Sequence, residues 1–161
     1  MIVKINFSRL LLLSPLIGVS FFSPSSALCQ SNEVEIKNLR NVNMGSWKNL
    51  SSIQSTQDFC VAVSTTASNY LVTAHGEGED GRFFLRAGNE KLPIELQWRG
   101  SKGAFDKLSP NVPKKFALGS STSGKCATNN AHLKVVLNEV ELAAVTPADY
   151  QGDIRFVVEP E

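Results

Sequence analysis

The chain has 161 residues, 42% of them hydrophobic and 19% charged, with 16 Lys and Arg against 15 Asp and Glu. This near balance excludes an acidic or basic tail protein and a nucleic-acid binder that relies on gross charge. The apolar share is enough to bury a core, and the length is that of one domain.

The N-terminus reads as an export signal. Lys4 and Arg9 form a short positive region, and Leu10 to Phe22 then runs apolar, interrupted only by Ser14, Pro15, Gly18 and Ser20. A spanning helix needs about 20 apolar residues, so this run is too short for a membrane anchor. It fits a secretory signal peptide followed by the small, polar stretch Ser23 to Ala27. Ser25 and Ala27 satisfy the small-residue rule for cleavage after Ala27, and Ala27 with Cys29 allows cleavage after Cys29. Residues 1–29 are therefore expected to be removed, leaving 30–161 as a single domain with 14 basic and 15 acidic residues. Export places the chain in the periplasm, then at the cell surface or outside, where Cys60 and Cys126 are the expected disulfide. That bridge closes a loop of about 65 residues and contributes ~3–5 kcal/mol through the unfolded state. Cys29 leaves with the leader or stays as a thiol at the new N-terminus.

The remaining chain reads as short strands. Val34 and Ile36 alternate with Glu35 and Lys37, with Leu39 following. Phe59 to Val63, Asn69 to Ala74 and Phe83 to Arg86 are β-rich runs, and Leu92, Ile94, Leu96 and Trp98 share one face of the next. Pro93 has no amide hydrogen to give, which predicts an edge strand or a strand entrance there. Leu133 to Leu137 and Val140 to Leu142 are predicted as a strand pair turning at Asn138-Glu139, because of their β-branched residues. A helical face over His132–Ala144 is the alternative. Ile154 to Val158 closes the domain. Turn-forming clusters separate these runs at about ten-residue intervals, the signature of a β-sandwich or barrel.

Four segments carry a family resemblance. They are Asn69-Tyr70-Leu71-Val72-Thr73-Ala74-His75-Gly76, Gly81 to Leu85 with Leu92 to Trp98, Cys126 before Asn130 to Val135, and Tyr150 to Pro160. Their order resembles the spore coat protein U-like domain, found in pilin subunits of archaic chaperone–usher fimbriae, over most of residues 33–161. The resemblance implies an all-β, immunoglobulin-like antiparallel sandwich lacking its last strand. A periplasmic chaperone, and later a segment of a neighbouring pilin-like subunit, would fill the open groove by β-strand addition. The strand-exchange edges would be Val34, Ile36 and Leu39 at one end of the domain and Ile154, Phe156 and Val158 at the other. After cleavage only Gln30-Ser31-Asn32 would precede the first strand run. That run is then the donor, or the protein accepts a strand without donating one, or the sandwich completes itself.

Other motifs point elsewhere less specifically. Gly119 to Lys125 has phosphate-loop spacing, but Cys126 stands where the magnesium-binding hydroxyl belongs and turn residues follow, so it reads as a flexible loop. His75 to Gly81 gathers one imidazole and three carboxylates in a glycine-rich turn, too few for a calcium loop. Two isolated histidines do not build a copper–zinc centre. No Gly-x-Ser-x-Gly elbow is present, and Glu139 and Glu141 flank an expected turn. No cofactor, metal, nucleic-acid partner or catalytic role is expected. Trp47 and Trp98 are the remaining candidates for a binding surface, though Trp98, ending an alternating strand, is expected in the core. The sequence thus predicts an exported fimbrial or surface-assembly subunit, with a self-contained glycan- or protein-binding module as the alternative.

Overall fold

The computed structural model describes residues 3–8, 34–47, 51–63, 67–119 and 126–161, with the backbone alone for 3–8. The apolar leader run Leu10 to Phe22, both cleavage positions, Cys29 and the loop from Ser120 to Lys125 lie outside the described residues.

Period-two alternation sets the architecture. The strands are β1 (Val3–Ser8), β2 (Val34–Lys37), β3 (Val42–Gly45), β4 (Ile53–Val63), β5 (Asn69–His75) and β6 (Phe84–Ala87). They continue with β7 (Glu90–Pro93), β8 (Glu95–Arg99), β9 (Asp106–Lys107), β10 (Lys114–Ala117), β11 (Ala131–Leu137) and β12 (Tyr150–Pro160). A short helix, α1 (Glu139–Ala143), precedes β12. In β5, β11 and β12 alternate residues are buried: Tyr70, Val72 and Ala74; Ala131, Leu133, Val135 and Leu137; and Tyr150, Gly152, Ile154, Phe156 and Val158. Two sheets form around the apolar layer these residues create. One has seven strands, ordered β10-β5-β12-β1-β3 with β6 and β7 attached to β12, and the other has five, ordered β2-β4-β11-β8-β9. The strand ladders are antiparallel except that of β1 with β12. The expected all-β sandwich is the observed fold.

Two local readings need correction. Leu92 to Trp98 is not one strand: β7 pairs with β6 in the first sheet and β8 with β11 in the second, and the chain crosses between them at Ile94. Burial alternates across the break, with Leu92, Leu96 and Trp98 at 0% exposure and Ile94 at 8%. Both sheets face the same core, so the pattern hides the crossing. Pro93 ends β7, which among the described residues pairs only with β6, so the missing amide hydrogen falls at an edge. The second correction concerns Val140 to Leu142, which form α1 and not a strand. Leu133 to Leu137 is the strand expected. Leu142 donates its amide to Asn138 O at 3.0 Å and buries its side chain, while Val140 is 79% exposed. One turn of helix presents only Leu142 to the core, and that contact outweighs the strand preference of valine.

The sheets are joined by aromatic packing. Trp98 of the second sheet meets Phe59 with ring centroids 4.7 Å apart, and reaches across to Phe156 at 5.3 Å and Phe116 at 6.1 Å. Its indole N–H donates to Tyr70 Oη at 3.0 Å, so the one polar atom of this buried ring is satisfied. Cys60 of β4 is bonded to Cys126, Cα to Cα 5.7 Å, which holds the start of the β11 segment against the second sheet.

Asn130 extends a ladder with its side chain. β11 begins opposite Phe59, and one step beyond it the Asn130 amide accepts from Val61 N and donates to Val61 O, both at 2.8 Å. The carboxamide stands in for a peptide group where the strand has not yet begun. At the other end of β11, the α1–β12 connection is pinned by Glu90 of β7. Its carboxylate accepts from Thr146 N at 3.0 Å, Thr146 Oγ1 at 2.6 Å and the Tyr150 hydroxyl. These bonds, Thr146 Oγ1 foremost, hold the Glu90 carboxyl below its usual range. They also fix where β12 starts.

Two predictions follow from these contacts. Asn130→Ala leaves the buried Val61 N–H and C=O without their partner and should cost about 2–4 kcal/mol, measured by urea unfolding with an unchanged m-value. A change under 0.5 kcal/mol would show that water replaces the carboxamide. The second concerns alkali: burial pushes the Tyr70 hydroxyl up to about 12, and burial with the Glu90 carboxylate does the same for Tyr150. An unfolded tyrosine ionises near 10, so this contribution is complete below that pH and disappears as pH rises toward 12. For Tyr70 it is on the order of 2–3 kcal/mol. Tyr70→Phe should therefore flatten stability against pH between 10 and 12, whatever it costs at neutral pH.

Candidate functional site: a strand-wide slot in the seven-stranded sheet

Strand β12 is bordered on both flanks. On one, Arg155 to Pro160 pair with β5 and Gln151 with Arg86 of β6. On the other, Tyr150 to Arg155 pair in parallel with Val3 to Ser8 of β1. The far side of β1 is antiparallel to β3, with Lys4 opposite Asn43 and Ile5 opposite Val42. β1 thus lies between β12 and β3, and comes from a segment 25 residues (9–33) ahead of the next described strand. Of the three strands, only β12 and β3 belong to the expected mature domain. Between them the sheet has a position one strand wide, since neighbouring strands lie about 4.8 Å apart.

The slot has an apolar floor. Val42 and Met44 of β3 and Tyr150 and Ile154 of β12 all belong to the buried core cluster. Val3, Ile5 and Phe7 are the register partners of Tyr150, Gly152 and Ile154, the core-side positions of β12. The polar residues Lys4, Asn6 and Ser8 take the alternate positions, opposite Gln151, Asp153 and Arg155. The slot is therefore matched to an extended segment with apolar residues at every second position. Gly152 is needed here for a close approach: a Cβ on it would lie 2.8 Å from the Phe84 carbonyl oxygen of β6.

The residues singled out from the sequence fall in different places. Ile154 lies in the part of β12 that pairs with β1, whereas Phe156 and Val158 lie farther along, opposite Ala74 and Val72 of β5. Val34 and Ile36 sit in β2, the outer strand of the other sheet, opposite Val63 and Val61 of β4. Leu39 is half-buried between β2 and β3 and packs on the core. The strand that borders the slot from the N-terminal side is β3, whose short V-N-M-G run offers little alternation to read. Trp98 is in the core, while Trp47, just after β3, is half-buried with its indole N–H lacking a hydrogen-bond partner among the described residues.

The histidines are held apart. His75 Nδ1 lies 2.6 Å from Asn111 Oδ1, whose amide nitrogen donates to Asp80 O at 2.6 Å, which ties the glycine-rich turn to the loop before β10. Among the described residues no three His, Cys, Asp or Glu side chains are grouped to hold a metal ion. His132 Nδ1 lies 2.5 Å from Asp58 Oδ1 on the outer face of the second sheet. Beside it Phe105 is covered by Arg99 at 4.8 Å and Lys134 at 4.1 Å from its ring centroid. Phe105 comes from a loop, and the sequence gives no sign that it folds back over the sheet. Among the described residues no helix is long and apolar enough to cross a membrane.

No protein-family model matches the sequence, and no curated protein matches it. Among solved structures the chain is similar to one described as a chaperone–tip adhesin complex vital for synergistic activation of CFA/I fimbriae biogenesis. The TM-score is 0.61 at 16% identity, over 82% of this chain and 42% of that one. The chain thus spans less than half of that neighbour, and the likeness is one of fold.

Proposed function

We propose that the protein is an exported structural subunit of a fimbria or other cell-surface assembly, joined to its partners by β-strand complementation. The observation that carries this reading is the strand order β12-β1-β3, in which the sheet is completed by a segment outside the expected mature domain. Once residues 1–29 are removed, the slot flanks of β12 and β3 carry backbone groups without a ladder, above an apolar floor. Such an edge accepts a strand from another chain. A periplasmic chaperone, and afterwards a neighbouring pilin-like subunit, are the partners that would supply one. The similarity to a chaperone–tip adhesin complex supports the same reading, as does the Cys60–Cys126 bond, which suits an oxidising compartment. The order of motifs that resembles spore coat protein U-like domains agrees with it. The role carries no catalytic step and requires no cofactor.

A self-contained module that binds a glycan or protein is the second reading, favoured by the patch of Phe105, Arg99, Lys134 and His132 on the outer sheet face.

The two differ in solution. A chain of residues 30–161 should self-associate when alone. A synthetic peptide of residues 1–10, used as a model donor strand, should return it to a monomer and raise its Tm. At a hundredfold excess over Kd the gain is about 2.7 kcal/mol, or ~10 °C for a domain of this size. A monomer that melts cooperatively and reversibly without peptide, and is indifferent to it, defeats the subunit reading and leaves the binding module.

A further inference from the structure

The outer face of the five-stranded sheet holds an arrangement that strand exchange does not use. Asp58 of β4, His132 of β11 and Arg99 of β8 stand opposite one another across three neighbouring strands. Phe105 comes one residue before Asp106, the register partner of Trp98, so it extends the same row beyond Arg99. Residues opposite one another in a sheet share a face. The Phe105 ring accordingly lies against the Arg99 guanidinium, 4.8 Å from its centroid, the Lys134 ammonium of the next row at 4.1 Å, and the His132 ring at 6.4 Å. We infer that this patch binds an acidic saccharide, a chain of pyranose rings that carry carboxylates. Phe105 is the platform for a sugar ring, and Arg99 and Lys134 are the cations for its carboxylates. The inference rests on the binding reading of this patch and not on strand complementation, whose slot lies in the other sheet.

Charge sets the sign of the ligand. Strands β4, β8, β9 and β11 carry three carboxylates, and each has a partner of its own: Asp58 with His132, Glu95 with Lys107, and Asp106 with Lys114. Arg99 and Lys134 enter no ion pair among the described residues. An aromatic face steadies a cation through its quadrupole without cancelling the charge. Two cations held beside one ring therefore attract an anion, and the planar fork of arginine fits a carboxylate in a bidentate pair.

The place of the patch in the sheet favours recognition by side chains. β11 has ladders with β4 and β8 on its two flanks, and β8 has ladders with β11 and β9. With the backbone paired on both sides, an acidic peptide finds no edge on which to add as a strand and would be held by charge alone. A pyranose ring offers C–H groups to an aromatic face and its carboxylate to the cations, which is the combination present here. Phe105 is half-buried, so part of the ring stays open to solvent. Its loop is fastened at both ends, by Ser101 N donating to Ala117 O at 3.2 Å and by Asp106 opposite Trp98. A ring already held in place loses little freedom when a ligand binds. In a fibre of the kind proposed above, each subunit would present one copy, and weak single sites would gain by avidity.

The test uses the protein expressed from its full sequence, with a fluorescently labelled oligogalacturonate as probe and anisotropy as the readout. The probe should bind at least about tenfold more tightly than a neutral malto-oligosaccharide of the same length. Phe105→Ala, Arg99→Gln and Lys134→Gln should each weaken binding about tenfold with far-UV circular dichroism unchanged, while Phe105→Tyr should keep it. Lys91→Gln is the control for charge, because Lys91 also lies over a phenylalanine, 5.3 Å from the Phe84 centroid, but in the other sheet. It should leave binding unchanged. Equal uptake of the acidic and neutral saccharides overturns the inference. So does an equal loss in Lys91→Gln and Lys134→Gln, which marks diffuse charge and no site. An oligoglutamate of matched charge that binds as tightly as the uronate overturns the saccharide and leaves an acidic protein as the ligand. Strand complementation is read separately, from self-association and its rescue by the donor peptide, so it stands or falls apart from these results.

Discussion

A β-strand buried in the middle of a sheet has to satisfy backbone donors and acceptors on both flanks, and β12 can do so with the expected mature domain on one flank only. β5 and β6 serve one side. The other is served by β1, from the far N-terminus of the polypeptide. Neither the backbone groups of Tyr150 to Arg155 nor the apolar side chains beneath them tolerate exposure, because an unmet buried group costs about 1–3 kcal/mol and a bare apolar floor invites association. Removal of residues 1–29, as the sequence predicts, would leave the fold in need of one more strand.

The contacts that hold the rest of the domain together lie away from that flank. The aromatic contacts that join the sheets run from Trp98 to Phe59, Tyr70, Phe116 and Phe156. Phe156 is the first β12 residue past the ladder with β1, and it sits opposite Ala74 of β5. The disulfide, the Asn130 carboxamide and the β4–β11 ladder all belong to the second sheet. Glu90 fixes the first residue of β12 from the opposite flank, through Tyr150. The strands that frame the slot are thus held from behind by contacts outside the ladder with β1. Local opening against a stable remainder is what a strand-accepting edge requires.

Much of the fold was legible because burial writes itself into a strand with period two. β5, β8, β11 and β12 could be read from their apolar alternation, and the disulfide from the pairing of two cysteines in a chain expected to be exported. Three features left weaker marks. The chain passes from one sheet to the other at Ile94, yet both sheets share a core, so Leu92 to Trp98 keeps one alternation through the break. The α1 turn is set by a single buried leucine, and one contact is too little for a period. Asn130 looks like any turn asparagine, because the missing rung of ladder that it fills exists only after β11 and β4 have paired.

The residues that border the slot left uneven marks in the sequence for a related reason. One wall is β12: of the last strand run, Ile154 lies where β12 pairs with β1, and its alternation is plain in the sequence. The other wall is β3, four residues long with two buried positions, Val42 and Met44, and no pattern that singles it out from the preceding run at Val34. Sequence reasoning favoured Val34 and Ile36 because they alternate more clearly, but alternation reports burial on one face and says nothing of which sheet the strand joins. V-K-I-N-F-S alternates as well, and was read as part of the leader because a positive, apolar N-terminus has a sufficient explanation in export. One short segment can satisfy both demands. A leader needs basic and apolar residues in no strict order, whereas a slot needs them in strict alternation. It is the second property that export alone does not require, and it connects the first residues of the chain to the last strand.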